Sequence, residues 1–360
     1  MKSDISTYWQ GVASGARTST QDQLATMFLL PFGFLYSLIQ QMRAILYRIG
    51  IFKTRRLPRP VISIGNITVG GTGKTPVTAY IARLLMEQGF KVAMLSRGYG
   101  GSLEGQNVIV SDGATVMLGP GECGDEPYLL ASTLPGLMVV IGSDRYAAGQ
   151  LALQQLSPDI FILDDGFQHL SLWRDLNILL LDCRRPLGNG WTLPAGLLRE
   201  PPGASSRADI IIMTRCPAGT SISRDTPGKP AFASTHQLVD AQPLQGGSPV
   251  SFSALIGPGF MAFAGIAQPE FFFSGLRDQG INLVHTLAFP DHVAYDHARL
   301  EEISAAMKES GAEYLITTEK DGVKLSHLSP DIAAVTYVTR LDIGIERPAD
   351  LLTLLRNLLP

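Results

Sequence analysis

The chain has 360 residues, of which 45% are hydrophobic and 17% charged, and its formal net charge is −3. This length allows two domains, each with its own core. A slightly acidic chain lacks the strong positive charge of a nucleic-acid binder, so we expect no nucleic-acid partner.

The three cysteines, Cys123, Cys183 and Cys216, are widely spaced and include no C-x-x-C pair. An odd, scattered set is more typical of a reducing compartment than of a disulfide framework. We therefore expect all three to be small, unpaired core residues.

The N-terminal segment is strongly apolar. No charge occurs between Asp22 and Arg43, and residues 28–39 are almost entirely apolar. The apolar run starts too far from Met1 for a signal peptide, and it barely reaches the ~20 residues that a spanning helix needs. It is followed by a cluster of basic residues without acids: Arg43, Arg48, Lys53, Arg55, Arg56 and Arg59. This pattern favours a helix lying in an anionic membrane interface, with the protein body on the cytoplasmic side. The alternatives are a helix buried against the protein's own core and a helix that spans the membrane.

From residue 59 onward, short Val/Ile/Leu runs alternate with helix-like stretches. We predict strands at 60–66, 91–96, 137–142, 159–166, 177–182 and 209–215, and helices at 75–89 and 143–156. Continuous apolar runs are typical of strands covered on both faces of a parallel sheet. The pattern predicts an α/β domain with a doubly wound, mostly parallel sheet.

A second, smaller α/β pattern follows a region rich in Gly, Pro and Ser that begins near Cys216. Predicted strands at 259–267, 281–289 and 313–319 alternate with helices at 269–280 and 297–311. We place a membrane-associated helical segment at 1–58, the doubly wound domain at 59–220, a linker region at 221–250 and the second domain at 251–348. A C-terminal helix at 349–360 can pack on either domain.

The stretch between the first strand and the first helix is TVGGTGKTP, residues 68–76. It ends in the Gly-Lys-Thr of a phosphate-binding P-loop, although Thr68 stands where the first glycine usually occurs. In such loops the backbone amides and the helix N-terminus bind phosphate, the lysine reaches the β- and γ-phosphates, and the hydroxyl binds Mg²⁺. We predict an ATP and Mg²⁺ site rather than an empty glycine-rich turn. Its residues are Thr68, Val69, Gly70, Gly71, Thr72, Gly73, Lys74 and Thr75.

Paired carboxylates, Asp164 and Asp165, follow another predicted strand. Adjacent carboxylates repel each other unless a cation is near. An Asp-Asp-Gly turn is the alternative, but the P-loop in the same sheet favours metal binding. Ligands of open α/β sheets bind at the carboxyl ends of the strands. This rule places on one rim Asn66, Arg97, Ser143, Asp164, Asp165 and Asp182.

Several other polar residues are weaker candidates by themselves. Asp125, in GDEP, has the pattern of a helix N-cap, and a capped carboxylate is rigid enough to act as a general base. His292, in FPDH, follows a strand and can equally be a solvated loop histidine. Arg199 and Glu200 precede a double proline that can end a helix. Arg97, in SRGYGG, can point at a ligand or simply be exposed in a turn.

The motifs GNITVGGTGKTP, SRGYGG, GDEPYLLA, DDGFQH, LPAGLLREP, FPDH and TTEKDGVKL occur in this order between residues 65 and 325. Together they resemble the tetraacyldisaccharide 4'-kinase family of lipid A synthesis over nearly the whole chain. The P-loop of that family also lacks its first glycine. The resemblance implies transfer of the γ-phosphate of ATP to the 4'-hydroxyl of a membrane-bound, acylated glucosamine disaccharide 1-phosphate.

The resemblance also implies roles for individual residues. Asp125 is the catalytic base, with His292 as its partner from the second domain, and Lys74 acts on the transferring phosphate. The metal-side residues are Thr75, Asp164, Asp165 and Glu200. The substrate-binding positions, with Asn66 added from the rim, are Asn66, Arg97, Tyr99, Gln168, His169 and Arg199. The N-terminal segment corresponds to the family's membrane-associated helix, which implies a peripheral or monotopic protein on the cytoplasmic face of the bacterial inner membrane.

Two other classes remain possible from the residues. A P-loop kinase for a small soluble acceptor would not need residues 23–59 as an anchor. A nucleotide-switched ATPase, acting as an assembly factor, would hydrolyse ATP without an acceptor and usually work as a dimer. No obligate protein partner is evident from the sequence. Stimulation of ATP consumption by glycolipid, but not by free sugars or nucleosides, distinguishes the lipid kinase from these two classes.

Overall fold

The computed structural model describes residues 8–9, 11–222 and 228–358. The chain divides into two compact units, the first comprising Met1–Ser96, Asp144–Thr235 and Ile345–Pro360, and the second Arg97–Ser143 and His236–Gly344. The domain limits drawn from the sequence remain a prediction.

In chain order the elements are α1 (Thr20–Arg48), β1 (Val61–Asn66), α2 (Lys74–Glu87), β2 (Val92–Ser96), β3 (Val108–Asp112), α3 (Pro120–Cys123), α4 (Asp125–Thr133), β4 (Met138–Ile141), α5 (Arg145–Gln155), β5 (Ile160–Asp164), β6 (Leu176–Asp182), β7 (Ile210–Thr214), β8 (Ala231–Pro243), β9 (Phe260–Ala264), α6 (Pro269–Asp278), β10 (Leu283–Ala288), α7 (His297–Ser310), β11 (Tyr314–Thr318), α8 (Glu319–Gly322), α9 (Pro330–Ala334), β12 (Thr336–Ile345) and α10 (Pro348–Leu358). Short 3₁₀ turns cover Pro202–Arg207 and Phe252–Leu255.

The sheet of the first unit has the strand order β8-β7-β6-β1-β5-β2. All of its neighbouring strands are parallel, and the chain winds outward from β1 in both directions. Every residue of β1, β2 and β5 is buried, because helices or loops cover both faces of these strands. The predicted class, a doubly wound parallel sheet with a second α/β part, is confirmed.

The register of β1 sets the position of the polar residues at its carboxyl end. In one direction Ile64 lies beside Asp164 of β5, and in the other Asn66 lies beside Leu180 of β6. The side chains that follow β1 and β5 therefore emerge at one edge of the sheet, as the sequence rule predicts for Asn66, Asp164 and Asp165.

The second unit contains a parallel sheet in the order β10-β9-β11-β12 and an antiparallel pair formed by β3 and β4. Strand β9 is covered on both faces because its side chains alternate between two cores. Phe260 and Ala262 pack with α6, whereas Met261 and Phe263 pack with α7. These cores hold the loops that follow β10 and β11.

Helix α1 leaves most of its apolar side chains exposed. A capping box of Ser19 and Asp22 starts the helix, and Gly33 brings it against the loop at Thr192, whose hydroxyl donates to the Gly33 carbonyl at 2.6 Å. The exposed fractions of Met27, Phe28 and Phe34, for example, are 68%, 72% and 74%. Burial of this helix in the protein's own core is therefore not what the structure shows. By length and composition α1 is the one helix of the described residues that could cross a membrane.

The cysteines differ from expectation. Cys183 and Cys216 form a disulfide with Cα atoms 5.1 Å apart, and only Cys123 is a free, buried thiol. The expectation of three unpaired core residues was therefore wrong for two of them. The cause lies in the sheet, because Cys183 follows β6 and Cys216 follows β7, and these are parallel neighbours in register.

Candidate active site

The P-loop connects β1 to α2 in the first unit. Gly73 forms the N-cap of α2 with φ 75°, a left-handed conformation that favours glycine. None of the described side chains caps this helix, so its first backbone amides are left for an anion. The Lys74 Nζ lies 3.4 Å from Asn66 Oδ1 and 3.7 Å from Asp165 Oδ1. The loop thus presents both amides and a cation at the carboxyl end of β1.

A close backbone approach joins the P-loop strand to the Asp-Asp-Gly turn. A Cβ built at Gly65 would lie 2.8 Å from the Phe167 backbone nitrogen, so a larger residue does not fit there. Gly166 donates to the Ile64 carbonyl at 3.0 Å, and Asp165 takes a left-handed backbone with φ 49°. Glycine at position 65 is what lets the two predicted motifs share one site.

The LPAGLLREP segment supports the P-loop from the other side. Val69 donates its backbone N–H to Leu197 at 2.7 Å, and Arg199 donates to Ile67 at 2.7 Å. The prediction that a helix ends at Arg199 and Glu200 was wrong, because this segment runs alongside the loop between Ile67 and Val69 instead. Its backbone fixes the P-loop and delivers the Arg199 side chain to the site.

Asp165, a carboxylate of the rim, is paired with two cations. Arg199 Nη1 donates to both of its oxygens at 2.9 and 2.7 Å, and Lys74 lies nearby. Burial favours protonation, but the charges of Lys74, Arg199 and Arg145 outweigh it and hold the pKa of Asp165 below its ordinary value. Asp165 is therefore an anion whose nearest cations belong to the protein.

Asp164 is 3% exposed and ends β5. Its Oδ1 accepts a hydrogen bond from Thr78 at 3.2 Å, one turn into α2 after Thr75. Among the described residues no three His, Cys, Asp or Glu side chains are grouped to hold a metal by themselves. Mg²⁺ commonly binds through one or two carboxylates, with phosphates and water supplying the other ligands, and hydroxyl and carboxylate oxygens are its preferred donors. The donor set of Thr75, Asp164 and Asp165 fits that ion.

Glu200, the fourth predicted metal-side residue, is held by Arg207. Its carboxylate is 4% exposed and forms two contacts with that guanidinium, at 2.7 and 2.9 Å. The bidentate pair fixes the end of the LPAGLLREP segment. A role of Glu200 near Mg²⁺ stays a prediction.

Gln168 and His169 have different surroundings although they are adjacent. Gln168 Nε2 donates to the backbone carbonyl of Asn66 at 2.9 Å. The backbone carbonyl of Gln168 accepts a hydrogen bond from Arg43 of α1 at 3.2 Å. A hydrogen-bonded path therefore runs from α1 to the residue that holds Lys74. His169 lies within hydrogen-bond distance of the Ser171 hydroxyl (3.0 Å), and burial, together with Arg145 and Arg174, lowers its pKa to about 4. It is neutral at physiological pH.

The second unit brings Asp125 and His292 together, with His292 Nδ1 3.4 Å from Asp125 Oδ2. Asp125 is the first residue of α4, and Gly124 is the N-cap, so the expectation that Asp125 caps this helix was wrong. His292 has φ 59°, an uncommon left-handed conformation for a residue with a side chain. It is not a freely solvated histidine.

Two lysines from the TTEKDGVKL motif complete this group. Lys324 Nζ lies 3.3 Å from Asp125 Oδ2, and Lys320 Nζ lies 3.2 Å from His292 Nε2. Burial raises the pKa of Asp125, but the hydrogen bond from His292 and the lysine charges outweigh it and lower that pKa overall. The result is a carboxylate that stays ionised.

The predicted substrate residues Arg97 and Tyr99 also belong to the second unit. Tyr99 is 64% exposed and its ring meets the His292 ring edge to face, with centroids 5.7 Å apart. Arg97 is exposed and pairs with Glu104 at 3.1 Å. The structure therefore groups Tyr99 with the Asp125–His292 pair.

Sequence reasoning missed three charged residues of the two groups. Arg145 starts α5 and was interpreted only as part of a crossover helix. Lys320 and Lys324 lie in a quoted motif, but no spacing rule assigned them a role. The signal available in the sequence was a pair of lysines four residues apart directly after a predicted strand end.

A parallel doubly wound sheet, a glycine-rich loop before α2 and aspartates at the end of β5 define a P-loop nucleotide-binding protein. Residues 25–360 match the family model described as tetraacyldisaccharide-1-P 4'-kinase, LpxK. The chain belongs to this family.

Individual relatives agree with the family match. The chain is 57% identical over 359 residues to the tetraacyldisaccharide 4'-kinase of Pelobacter propionicus, covering 100% of this chain and 99% of the relative. It is 52% identical over 340 residues to the enzyme of the same name from Geobacter sulfurreducens, covering 93% and 95%. The crystal structure of LpxK from Aquifex aeolicus in complex with ATP is similar with a TM-score of 0.79 and 37% identity, covering 93% of this chain and 100% of that one.

Proposed function

We propose that this kinase phosphorylates the 4'-hydroxyl of its lipid A precursor through the residues of the two groups described above. As a tetraacyldisaccharide 4'-kinase it uses ATP and Mg²⁺, and its substrate class is an acylated disaccharide 1-phosphate. The observation that carries the proposal is the uncapped N-terminus of α2, with Lys74 held by Asn66 and Asp165 beside it.

The P-loop amides and Lys74 bind the β- and γ-phosphates and neutralise the charge that spreads over the transferring group. Charge stabilisation of this kind is the dominant requirement of phosphoryl transfer. Thr75, Asp164 and Asp165 would hold Mg²⁺, and the ion would supply positive charge to the phosphate groups. Arg199 is then free to exchange its contact with Asp165 for a phosphate oxygen, since its guanidinium suits either anion.

Asp125 accepts the proton of the sugar hydroxyl as the hydroxyl oxygen bonds to phosphorus and the bond from phosphorus to the ADP oxygen breaks. His292 orients Asp125 through its Nδ1 contact. A positioned general base contributes about 10²–10⁴-fold to rate. The residues proposed to contact the substrates are Asn66, Arg97, Tyr99, Gln168, His169 and Arg199.

Helix α1 is proposed to lie in the membrane interface on the cytoplasmic side. Apolar side chains of α1, together with Pro194, line a shallow groove of ≈ 580 Å³, and the helix residues are Phe28, Leu29, Phe32, Leu35, Tyr36 and Ile39. The basic residues after the apolar run suit anionic headgroups. Anchoring of this kind lets the acyl chains of the substrate remain in the bilayer during the reaction.

The test uses ATP labelled at the γ-phosphate, magnesium and the tetraacyl disaccharide 1-phosphate in detergent. We expect label to move to the disaccharide at the 4'-position, and not to free sugars or nucleosides. Asp125→Asn should lower turnover by about 10²–10⁴-fold with a folded protein. Label released only as free phosphate, whatever acceptor is present, would instead favour the nucleotide-switched ATPase.

A further inference from the structure

Lys320 and Lys324 surround the Asp125–His292 pair from one side. Lys320 Nζ contacts Asp291 Oδ1 at 3.0 Å and Glu126 Oε1 at 3.5 Å, and it reaches His292 Nε2. In this group of contacts each basic side chain faces an acidic one or the His292 ring, and this arrangement indicates which ring nitrogen carries the proton.

The ammonium of Lys320 decides where the His292 proton lies. A lysine ammonium carries only donors, so His292 Nε2 acts as an acceptor in the 3.2 Å contact, which is shorter than the 3.9 Å between Nε2 and Asp291 Oδ2. The ring proton then lies on Nδ1, which faces the Asp125 carboxylate at 3.4 Å. The geometry thereby assigns a ring proton to His292 Nδ1, from which it donates to Asp125. A second ring proton on Nε2 would point directly at the Lys320 charge.

Lys324 has a different task. It is 9% exposed and lies 3.3 Å from Asp125, 3.2 Å from the buried Asp321 and 3.1 Å from the Val293 carbonyl. Asp321 is in turn fixed by Thr318 and by the Gly265 backbone. A lysine held this rigidly supplies a fixed positive charge. If it moved away to bind a phosphate, the buried carboxylate of Asp321 would lose the cation beside it.

We propose that Lys320 and Lys324 are positioning residues for the phosphoryl transfer, Lys320 by fixing the tautomer of His292 and Lys324 by keeping Asp125 ionised and in place. This inference rests on the proposed role of Asp125 as the base. Neither lysine is proposed to contact the substrate, because both ammonium groups face carboxylates of the protein.

The groups facing Asp125 all bear on its titration. They are His292 and Tyr295 from the segment after β10, Lys320, Asp321 and Lys324 from α8 and the turn after it, and Cys123 and Glu126 from its own stretch of chain. The positive charge of Lys324 opposes protonation of Asp125, so its removal should move the acid side of the activity profile to higher pH. Each pH unit of such movement costs about tenfold in activity at a fixed acidic pH.

The first test is spectroscopic and independent of activity. The chain has six histidines, so ¹⁵N-histidine labelling gives a countable spectrum, and the signals missing from His292→Gln identify His292. We expect a protonated Nδ1 and an unprotonated Nε2 in the wild type, and a protonated Nε2 in Lys320→Met at the same pH. The exposed His297 should be unchanged. An Nε2–H ring in the wild type, or identical His292 signals in both proteins, overturns the role of Lys320.

The second test compares profiles of kcat/KM against pH. In Lys324→Met the acid limb should move upward, so that the loss of activity grows as the pH falls. Lys324→Arg should restore the wild-type limb at least in part, and Lys308→Met, which removes an exposed lysine of α7, should change nothing. A Lys324→Met enzyme whose loss is the same at every pH refutes the role of Lys324.

The proposed role of Asp125 and the proposed roles of the two lysines can be refuted separately. If Asp125→Asn keeps full turnover, the proposed base is wrong. If Asp125→Asn is inactive while Lys324→Met retains the wild-type profile and Lys320→Met the wild-type tautomer, the kinase mechanism stands and the inference about the lysines fails. Should Lys324→Met not fold, Lys324→Arg and the His292 spectra of Lys320→Met still decide the outcome.

Discussion

Two residues of the candidate site, Asp165 and His292, hold backbone conformations that side chains rarely adopt. Among the described residues only four that are not glycine have positive φ, and the others are Ser157 and Arg215. Such positions cost on the order of 1–3 kcal/mol and persist when the surroundings fix them. Here Arg199 fixes Asp165 and Lys320 fixes His292, so the strain is tied to the charged contacts of the site.

His169 should make the protein sensitive to acid. Its native pKa of about 4 lies below the ordinary 6.5, so between these values the unfolded state binds a proton that the native state does not. The stability contribution is complete above pH 6.5 and is lost as the pH falls towards about 4. The largest contribution that His169 can make to the free energy of unfolding in this way is on the order of 3 kcal/mol. Urea unfolding of wild type and His169→Gln across this range should show the wild type losing stability relative to the variant.

The matching control is His297→Gln, because His297 is exposed at the start of α7. It should follow the wild type at every pH. Parallel stability curves for wild type and His169→Gln would show that folding does not lower the pKa of His169.

At the scale of elements, the P-loop is held in place by a segment far along the chain. Strand β1 and the Asp-Asp-Gly turn meet at Gly65, and residues 197–199 run beside the loop. The glycine-rich motif was recognisable in the sequence because its spacing reflects local phosphate chemistry. The contact of the LPAGLLREP segment with this loop was not, since the hydrogen bonds that form it are made by backbone groups that any sequence carries.

Gly65→Ala should damage both motifs at once. The new Cβ would lie 2.8 Å from the Phe167 nitrogen and 2.9 Å from its Cβ, which are not flexible atoms. Overpacking of this kind costs about 1–3 kcal/mol. We expect a lower urea midpoint and weaker binding of a non-hydrolysable ATP analogue.

Gly203→Ala is the control in the same unit, because a Cβ there meets nothing within 4 Å. It should bind nucleotide normally. If Gly65→Ala also binds nucleotide normally and keeps the wild-type urea midpoint, the close backbone approach at Gly65 is required neither for stability nor for nucleotide binding.

Helix α1 should bind vesicles through its apolar side. Met27 is 68% exposed there, whereas Met117 is 51% exposed in the second unit. Burying a Met or Phe side chain contributes about 1.5–3 kcal/mol, so replacing one with Glu should lower the partition coefficient by roughly tenfold or more. Cosedimentation with vesicles of anionic phospholipid should show this loss for Met27→Glu and for Phe28→Glu.

Met117→Glu should partition like the wild type. If all three variants bind vesicles equally well, the apolar side of α1 does not form the membrane contact. Loss of binding by Met27→Glu with turnover retained on a detergent-dispersed acceptor would separate anchoring from chemistry.

At the scale of the whole molecule, binding of magnesium nucleotide should raise the thermal midpoint, because a ligand that binds only the native state stabilises it. The gain is about 2.7 kcal/mol when the ligand is at a hundred times its Kd. A non-hydrolysable ATP analogue with Mg²⁺ should shift the midpoint more than the analogue with EDTA, since the ion would add positive charge where the rim carboxylates and the phosphates bring negative charge.

Lys74→Ala should abolish most of this shift, and Lys91→Ala, which removes another lysine of the first unit, should not. An equal shift with Mg²⁺ and with EDTA would mean that Asp164 and Asp165 do not hold the ion.

The sequence by itself determined the α/β class, the alternation of strands and helices along the chain and the P-loop motif. These follow from period, composition and motifs of short range, which are properties of neighbouring residues. Tertiary structure decided which charges meet. Arg199 reaches Asp165, Lys324 reaches Asp125, and Cys183 pairs with Cys216, because strand order and loop paths bring distant residues together. No local pattern encodes those distances, since each depends on where the whole sheet places the ends of its strands.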